Sequence, residues 1–118
     1  MPNIEGKIVE ECESVVAIAD KFPVTQGHLL VLPRRHTPDL FGMVERERLD
    51  ANNLLRILRG RIQQNDSTVT GFNIGMNCGE DAGQTIMHAH IHLIPRRRGD
   101  TAKPRGGVRG VIPGKMAY

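Results

Sequence analysis

Of five histidines in the chain, three fall at alternate positions of one apolar run, TIMHAHIHLIPRR (85–97). On an extended strand alternate side chains share a face, so His88, His90 and His92 look one way, about 6.6–6.8 Å apart, and Ala89, Ile91 and Leu93 look the other. A row of imidazoles supports two chemistries. One is metal binding: HxH on a strand offers two ligands to zinc, with His28 or His36 as a further one. The other is nucleophilic attack by a neutral imidazole oriented through its second nitrogen, where a charge on one ring disfavours protonation of the next. The preceding GQT (83–85) sets the Gln84 amide and the Thr85 hydroxyl before the row. Gly79 and Gly83 let the loop turn inward and offer backbone N–H groups to phosphate oxygens. The loop CGEDAGQT (78–85) shows no metal-ligand spacing in its carboxylates, so spacing favours phosphate chemistry over zinc while leaving both open.

The elements that must hold this row follow from periodicity. SVVAIAD (14–20) and HLLVLP (28–33) are β-branched or apolar runs separated by the Pro- and Gly-containing turn KFPVTQG, which predicts an antiparallel strand pair. Thr37 and Pro38 suit the N-cap and first position of a short helix over DLFGMV. Residues 45–64 put Ala51, Leu54, Leu55, Leu58 and Ile62 on one stripe and Arg and Asn opposite, a helix with one solvated face. GFNIGMN (71–77) and TIMHAHIHLIP (85–95) read as further strands, and KIVEE (7–11) as one more. The expected fold class is α+β: an antiparallel sheet with one main helix packed on it. Residues 1–100 form the expected catalytic domain, and 101–118 a basic Gly/Pro-rich tail of that same domain.

Composition bounds the rest. A chain of 118 residues forms one core. Cys12 and Cys78 stand far apart in no CxxC pair and read as reduced thiols of a cytoplasmic protein. The opening MPNIEGKIVEECES lacks the basic and apolar regions of a secretory leader, and no run reaches membrane-spanning length. The net charge of +3 conceals a basic tail: Arg96, Arg97, Arg98, Lys103, Arg105, Arg109 and Lys115 face Asp100 alone. Such a tail is either solvated or holds a polyanion. With no tryptophan, one tyrosine and three phenylalanines, the chain has little with which to stack single-stranded bases, so nucleic acid is not the expected partner.

HAHIHLI (88–94) resembles the alternating signature of the histidine triad family of nucleotide hydrolases and transferases. AIADKFPVTQGHLLVLPRRH (17–36) and NCGEDAGQTIMHAHIHLIPRRRGD (77–100) resemble that family's upstream and catalytic segments. The DAGQT and PRRRGD flanks are most similar to the branch containing the fragile histidine triad protein, a dinucleoside polyphosphate hydrolase; the nucleotide-binding phosphoramidase branch is next.

This resemblance implies roles. His90 is the nucleophile that attacks the α-phosphate and forms a nucleotidyl-histidine. His88 orients it, His92 contacts the phosphate, and His28 completes the cluster. Gln84, Thr85 and Asn77 are phosphate-side contacts. Asp20 takes the ribose hydroxyls, and Ile18 walls the base pocket. It also implies a homodimer joining two sheets, with a diadenosine tetraphosphate type of substrate yielding AMP. An adenosine phosphoramidase, a phosphorylase or a purine nucleotide-binding protein is the alternative. The Cys-x-x-Cys of many members is missing, so no metal ligand set is expected, with magnesium at most a counter-ion of the substrate. The tail matches neither branch and is expected to fold back near the site.

Overall fold

A computed structural model describes residues 7–118. Five strands, Ile8–Cys12 (β1), Val15–Ala19 (β2), Leu29–Pro33 (β3), Val69–Gly75 (β4) and Ile91–Arg97 (β5), and one long helix, Glu45–Asn65 (α1), make up its regular structure. The strands form a single sheet in the order β1-β2-β3-β5-β4, with every neighbour antiparallel. The expected α+β architecture of antiparallel sheet and main helix is the one observed.

Each sheet face has its own apolar set because side chains alternate along the strands. Val15, Ala17, Val31 and Leu93, joined by Ala89, pack under Ala51, Leu54 and Leu58 of α1. Val16, Ile18, Leu30 and Leu32 cluster on the opposite face. The helix is tied down by two acids that helical periodicity alone leaves as surface. Glu47 accepts from the Val44 N–H, closing half of a capping box, and from Nε and a terminal nitrogen of Arg35 at 3.0 and 2.9 Å. Asp50 accepts from the Ser14 N–H and hydroxyl at the β1–β2 turn. These donors hold both carboxyls below their ordinary range.

Strand β4 runs from Val69 instead of from 71, and the boundaries around the histidines depart from expectation as well. The last strand begins at Ile91 rather than Thr85, so of the three histidines only His92 lies on it. The register pairs Leu29 with Leu93 and Val31 with Ile91. The next ladder position would need an N–H from Pro33, which has none. On the other side β4 ends at Gly75, opposite His92, two residues earlier than expected, and leaves the incoming chain without a partner there. The approach is secured instead by the Ala89 N–H, which donates to the Thr37 carbonyl at 2.7 Å. Thr37 is therefore not a helix cap. The short helix there is a 3-10 turn, Leu40–Gly42, capped by Asp39, whose carboxylate accepts from the Phe41 and Gly42 N–H groups.

Candidate functional site

His90 sets the geometry. Its Nδ1 lies 2.7 Å from the carbonyl of His88. A carbonyl only accepts, so Nδ1 carries a proton and, in the neutral ring, Nε2 keeps its lone pair. His88 donates through Nε2 to the Pro33 carbonyl, also at 2.7 Å, which anchors the segment to β3. Its Nδ1 faces Nδ1 of His36 at 3.3 Å.

A second relay fixes His92. The Val24 N–H donates to Nδ1 of His28, so the neutral His28 ring carries its proton on Nε2. That proton points at Nδ1 of His92, 2.9 Å away, with the Asp20 carboxylate at 3.3 Å. His92 thus accepts on Nδ1 and keeps an N–H on Nε2. Burial lowers the pKa of His28, against the opposing pull of Asp20. It lowers those of His88 and His92 as well, and for His92 the neighbouring His90 and His28 add to the effect. The three rings are held neutral at neutral pH.

The Asp20 Oδ2, His28 Nε2 and His92 Nδ1 atoms lie within 4.8 Å of one another, a spacing that suits a divalent ion. The hydrogen bonding does not. An imidazole bound to metal donates from its other nitrogen, whereas Nδ1 of His28 is occupied as an acceptor. The donor set fits a proton relay better than a metal centre.

A cleft of about 540 Å³ opens over these groups and is lined by Ile18, Asp20, Asn77, Thr85, His90 and His92 among others. The structure therefore gathers most of the residues picked out in the sequence. His28 and His88 are buried behind the lining. Gln84 is placed otherwise. It is buried, accepts from the Gly79 N–H, and donates to the carbonyls of Pro38 and Ile86, so it braces the loop instead of facing the cleft. The loop's glycine N–H groups are likewise spent inside it, since that of Gly83 donates to the Glu80 carbonyl. The 3-10 turn Glu80–Ala82, ended by Gly83 in a left-handed conformation, takes up the donors that sequence reasoning had assigned to phosphate. His36, the other candidate for a further zinc ligand, stands beside His88 as a ring contact and not in the Asp20, His28 and His92 group.

The basic end of the chain does not converge on the histidines. Arg96 donates to both carboxylate oxygens of Asp100, and Arg97 to Asp66. Arg105 and Arg109 both stack on the Tyr118 ring. The tail nonetheless returns to the sheet: its 3-10 turn Gly107–Val111 rests against β4.

Sheet order, helix placement and the histidine cluster define a histidine triad fold. Residues 1–99 match the family described as HIT domain, and the chain belongs to that family. It is 38% identical over 78 residues to the asymmetrical bis(5'-nucleosyl)-tetraphosphatase of Schizosaccharomyces pombe, covering 66% of this chain and 42% of that protein. It is 33% identical over 99 residues to the AP-4-A phosphorylase of Mycobacterium tuberculosis, covering 81% and 49%. The crystal structure of the Caenorhabditis elegans NitFhit protein superposes with a TM-score of 0.75 at 32% identity, covering 89% of this chain and 25% of that one. The chain thus spans less than half the length of these curated relatives. Among the described residues no helix is long and apolar enough to cross a membrane.

Proposed function

We propose that this protein hydrolyses dinucleoside polyphosphates at the α-phosphate through a covalent nucleotidyl-histidine on His90. One observation carries the reading: Nδ1 of His90 is tied to a backbone carbonyl, which aims the Nε2 lone pair into a cleft that also contains Asp20, Asn77 and His92. Nε2 attacks in line, forming the N–P bond as the P–O bond to the leaving nucleotide breaks. Water then adds to phosphorus, the N–P bond breaks, and a nucleoside monophosphate leaves. The Nε2–H of His92 donates to a non-bridging oxygen as charge builds there. His28 keeps that proton in place, and His88 supplies the carbonyl that orients the nucleophile. Asp20 accepts from the ribose hydroxyls, Ile18 walls the base, and Thr85 and Asn77 meet the phosphate side. Gln84 acts through the loop it braces. Magnesium enters, where it helps, with the substrate. The relatives' names support a diadenosine tetraphosphate type of compound. A cytoplasmic homodimer joined sheet to sheet completes the reading, β1 and β4 being the edge strands.

The test is to incubate the protein with diadenosine tetraphosphate, with and without magnesium, beside the His90→Ala variant, and to separate the products by chromatography. AMP and ATP are expected from the wild type. Turnover by the variant should fall at least about a thousandfold, or roughly 4 kcal/mol in the barrier. Nucleotide binding should stay within about tenfold. Turnover by the variant at the wild-type rate rules out His90 as nucleophile. ADP in place of AMP, with ATP still released, when phosphate is present as acceptor favours the phosphorylase alternative. Intact substrate with both proteins favours the phosphoramidase or nucleotide-binding alternative.

A further inference from the structure

One line of residues crosses the sheet on the histidine face. The register places Ile18 of β2 beside Leu30 of β3, Leu30 beside His92 of β5, and His92 beside Gly75 of β4. Directly opposed residues point to the same side. The line from Ile18 to Gly75 spans three strand spacings, about 14 Å. His92 therefore has two flanks. Toward β2 lie Ile18 and Leu30, which line the cleft that holds Asp20 and His90. Toward β4 lies a second cavity of about 380 Å³, floored by Gly75, Met76 and Ile94 and walled by Val108 and Val111 of the tail. His92 and Asn77 line both cavities, whereas His90 lines only the first.

This trough is built rather than incidental. Gly75 has no side chain to fill it, and a Cβ there would meet nothing within 4 Å. Its outer wall is closed on itself: Gly106, at a positive φ, sits so close to the backbone of Met116 that no Cβ fits between them. The lining holds two asparagine amides, Asn73 and Asn77, and no lysine or arginine. Asn73 already accepts on Oδ1 from Arg96 at 2.7 Å, outside the lining, and keeps its NH2 to donate. Arg109, which falls between the two wall valines, turns away to Tyr118 and to the Lys115 carbonyl. A polyphosphate finds no counter-charge in such a lining, whereas a planar heterocycle finds apolar contact on its faces and carboxamides for its polar edge.

We infer that the trough between β4, β5 and the tail is the subsite for the leaving half of the substrate, and that this half ends in a second nucleoside. The inference rests on the reading proposed above. One nucleoside lies over Ile18 and Leu30, the reacting phosphate sits at His90 and His92, and the departing half crosses His92 into the trough, on the flank away from the nucleophile. The tail thereby sets the preference for two-nucleoside substrates.

The double variant Val108→Asp, Val111→Asp tests this. Both side chains are largely exposed and neither belongs to the catalytic machinery. With diadenosine tetraphosphate, kcat/KM is expected to fall at least about tenfold. With adenosine 5′-phosphoramidate, whose leaving group is ammonia and too small to reach the trough, it should stay within about twofold. Equal losses on both compounds would assign the tail a general structural role, and no loss on either would leave the trough without a ligand; each result overturns the inference. Binding gives a readout independent of turnover. In a His90→Ala background, calorimetry should show the intact dinucleotide binding at least about tenfold tighter than AMP, and the two aspartates should remove that difference. If the wild type turns over neither compound yet this difference is present, the hydrolase reading fails and the subsite stands. If the dinucleotide and AMP bind alike, the subsite fails whatever the activity.

Discussion

The two ends of β5 hold polar side chains in opposite ways. At its start His92 and the adjoining His90 and His88 are fixed chiefly by neutral groups, the carbonyls of Pro33 and His88, a backbone N–H relayed through His28, and one another, with the Asp20 carboxylate beside His28 at 3.3 Å. At its end Arg96 and Arg97 are matched to Asp100 and Asp66 by charge-assisted bonds of 2.7–2.9 Å. Thr68 and Arg97 hold the Asp66 carboxyl at about 2, and Arg96 holds that of Asp100 well below the ordinary carboxylate range. Charge pairing fixes protons as well as positions. Neutral hydrogen bonds fix positions while leaving a lone pair on His90 and an N–H on His92 to be used. The strand is pinned at one end and chemically available at the other.

That contrast can be broken from either end. After the loss of the nucleophile itself, the largest effect is expected from His28→Ala, which removes the donor that fixes the tautomer of His92. With the proton on Nε2 no longer enforced, kcat in the tetraphosphate assay should drop about thirtyfold, on the order of the 2 kcal/mol carried by a hydrogen bond to a charged group. KM should change far less. An equal rise in KM would mean that His28 only shapes the binding cleft.

Acidification sharpens the same comparison. Free imidazoles titrate near 6.5, and His28, His88 and His92 are all lowered from that value in the fold. As pH falls through 6.5 the unfolded chain takes up more protons than the folded one, so stability falls with pH and is regained as pH rises above that window. Denaturant melts at pH 7.5 and 5.5 should show the lower midpoint at 5.5; a flat profile would mean that the rings are not held neutral. The carboxylate pairs contribute little there, because Asp66 and Asp100 stay ionised well below pH 5. The smallest effect is expected from Arg97→Met. This partly exposed pair should be worth less than about 1 kcal/mol, and the variant should turn over substrate like the wild type.

The histidine row was legible because a two-residue period in so scarce a residue has few structural explanations, and the helix because its stripe of Ala51, Leu54 and Leu58 repeats at helical spacing. What escaped depends on partners distant in sequence. Nothing near Glu47 or Asp50 announces Arg35 or Ser14, so helical periodicity alone leaves two anchoring acids on the surface. The start of β5 is decided by a missing N–H at Pro33, some sixty residues away. Gln84 reads as a ligand contact because its amide stands beside the triad. Only folded coordinates show that its bonds go to Gly79, Pro38 and Ile86.

The carbonyl that orients His90 has a consequence for the lifetime of what is made there. On the proposed reading the ring becomes cationic once it carries phosphorus, and its Nδ1–H then points at an uncharged peptide oxygen instead of a carboxylate. A carboxylate would stabilise that cation and slow its release. An amide carbonyl stabilises it much less, so the imidazole remains a good leaving group and the covalent state stays transient. Because the oxygen belongs to the main chain, no side-chain replacement at position 88 deletes it. The reactivity of the intermediate is thus written into the backbone.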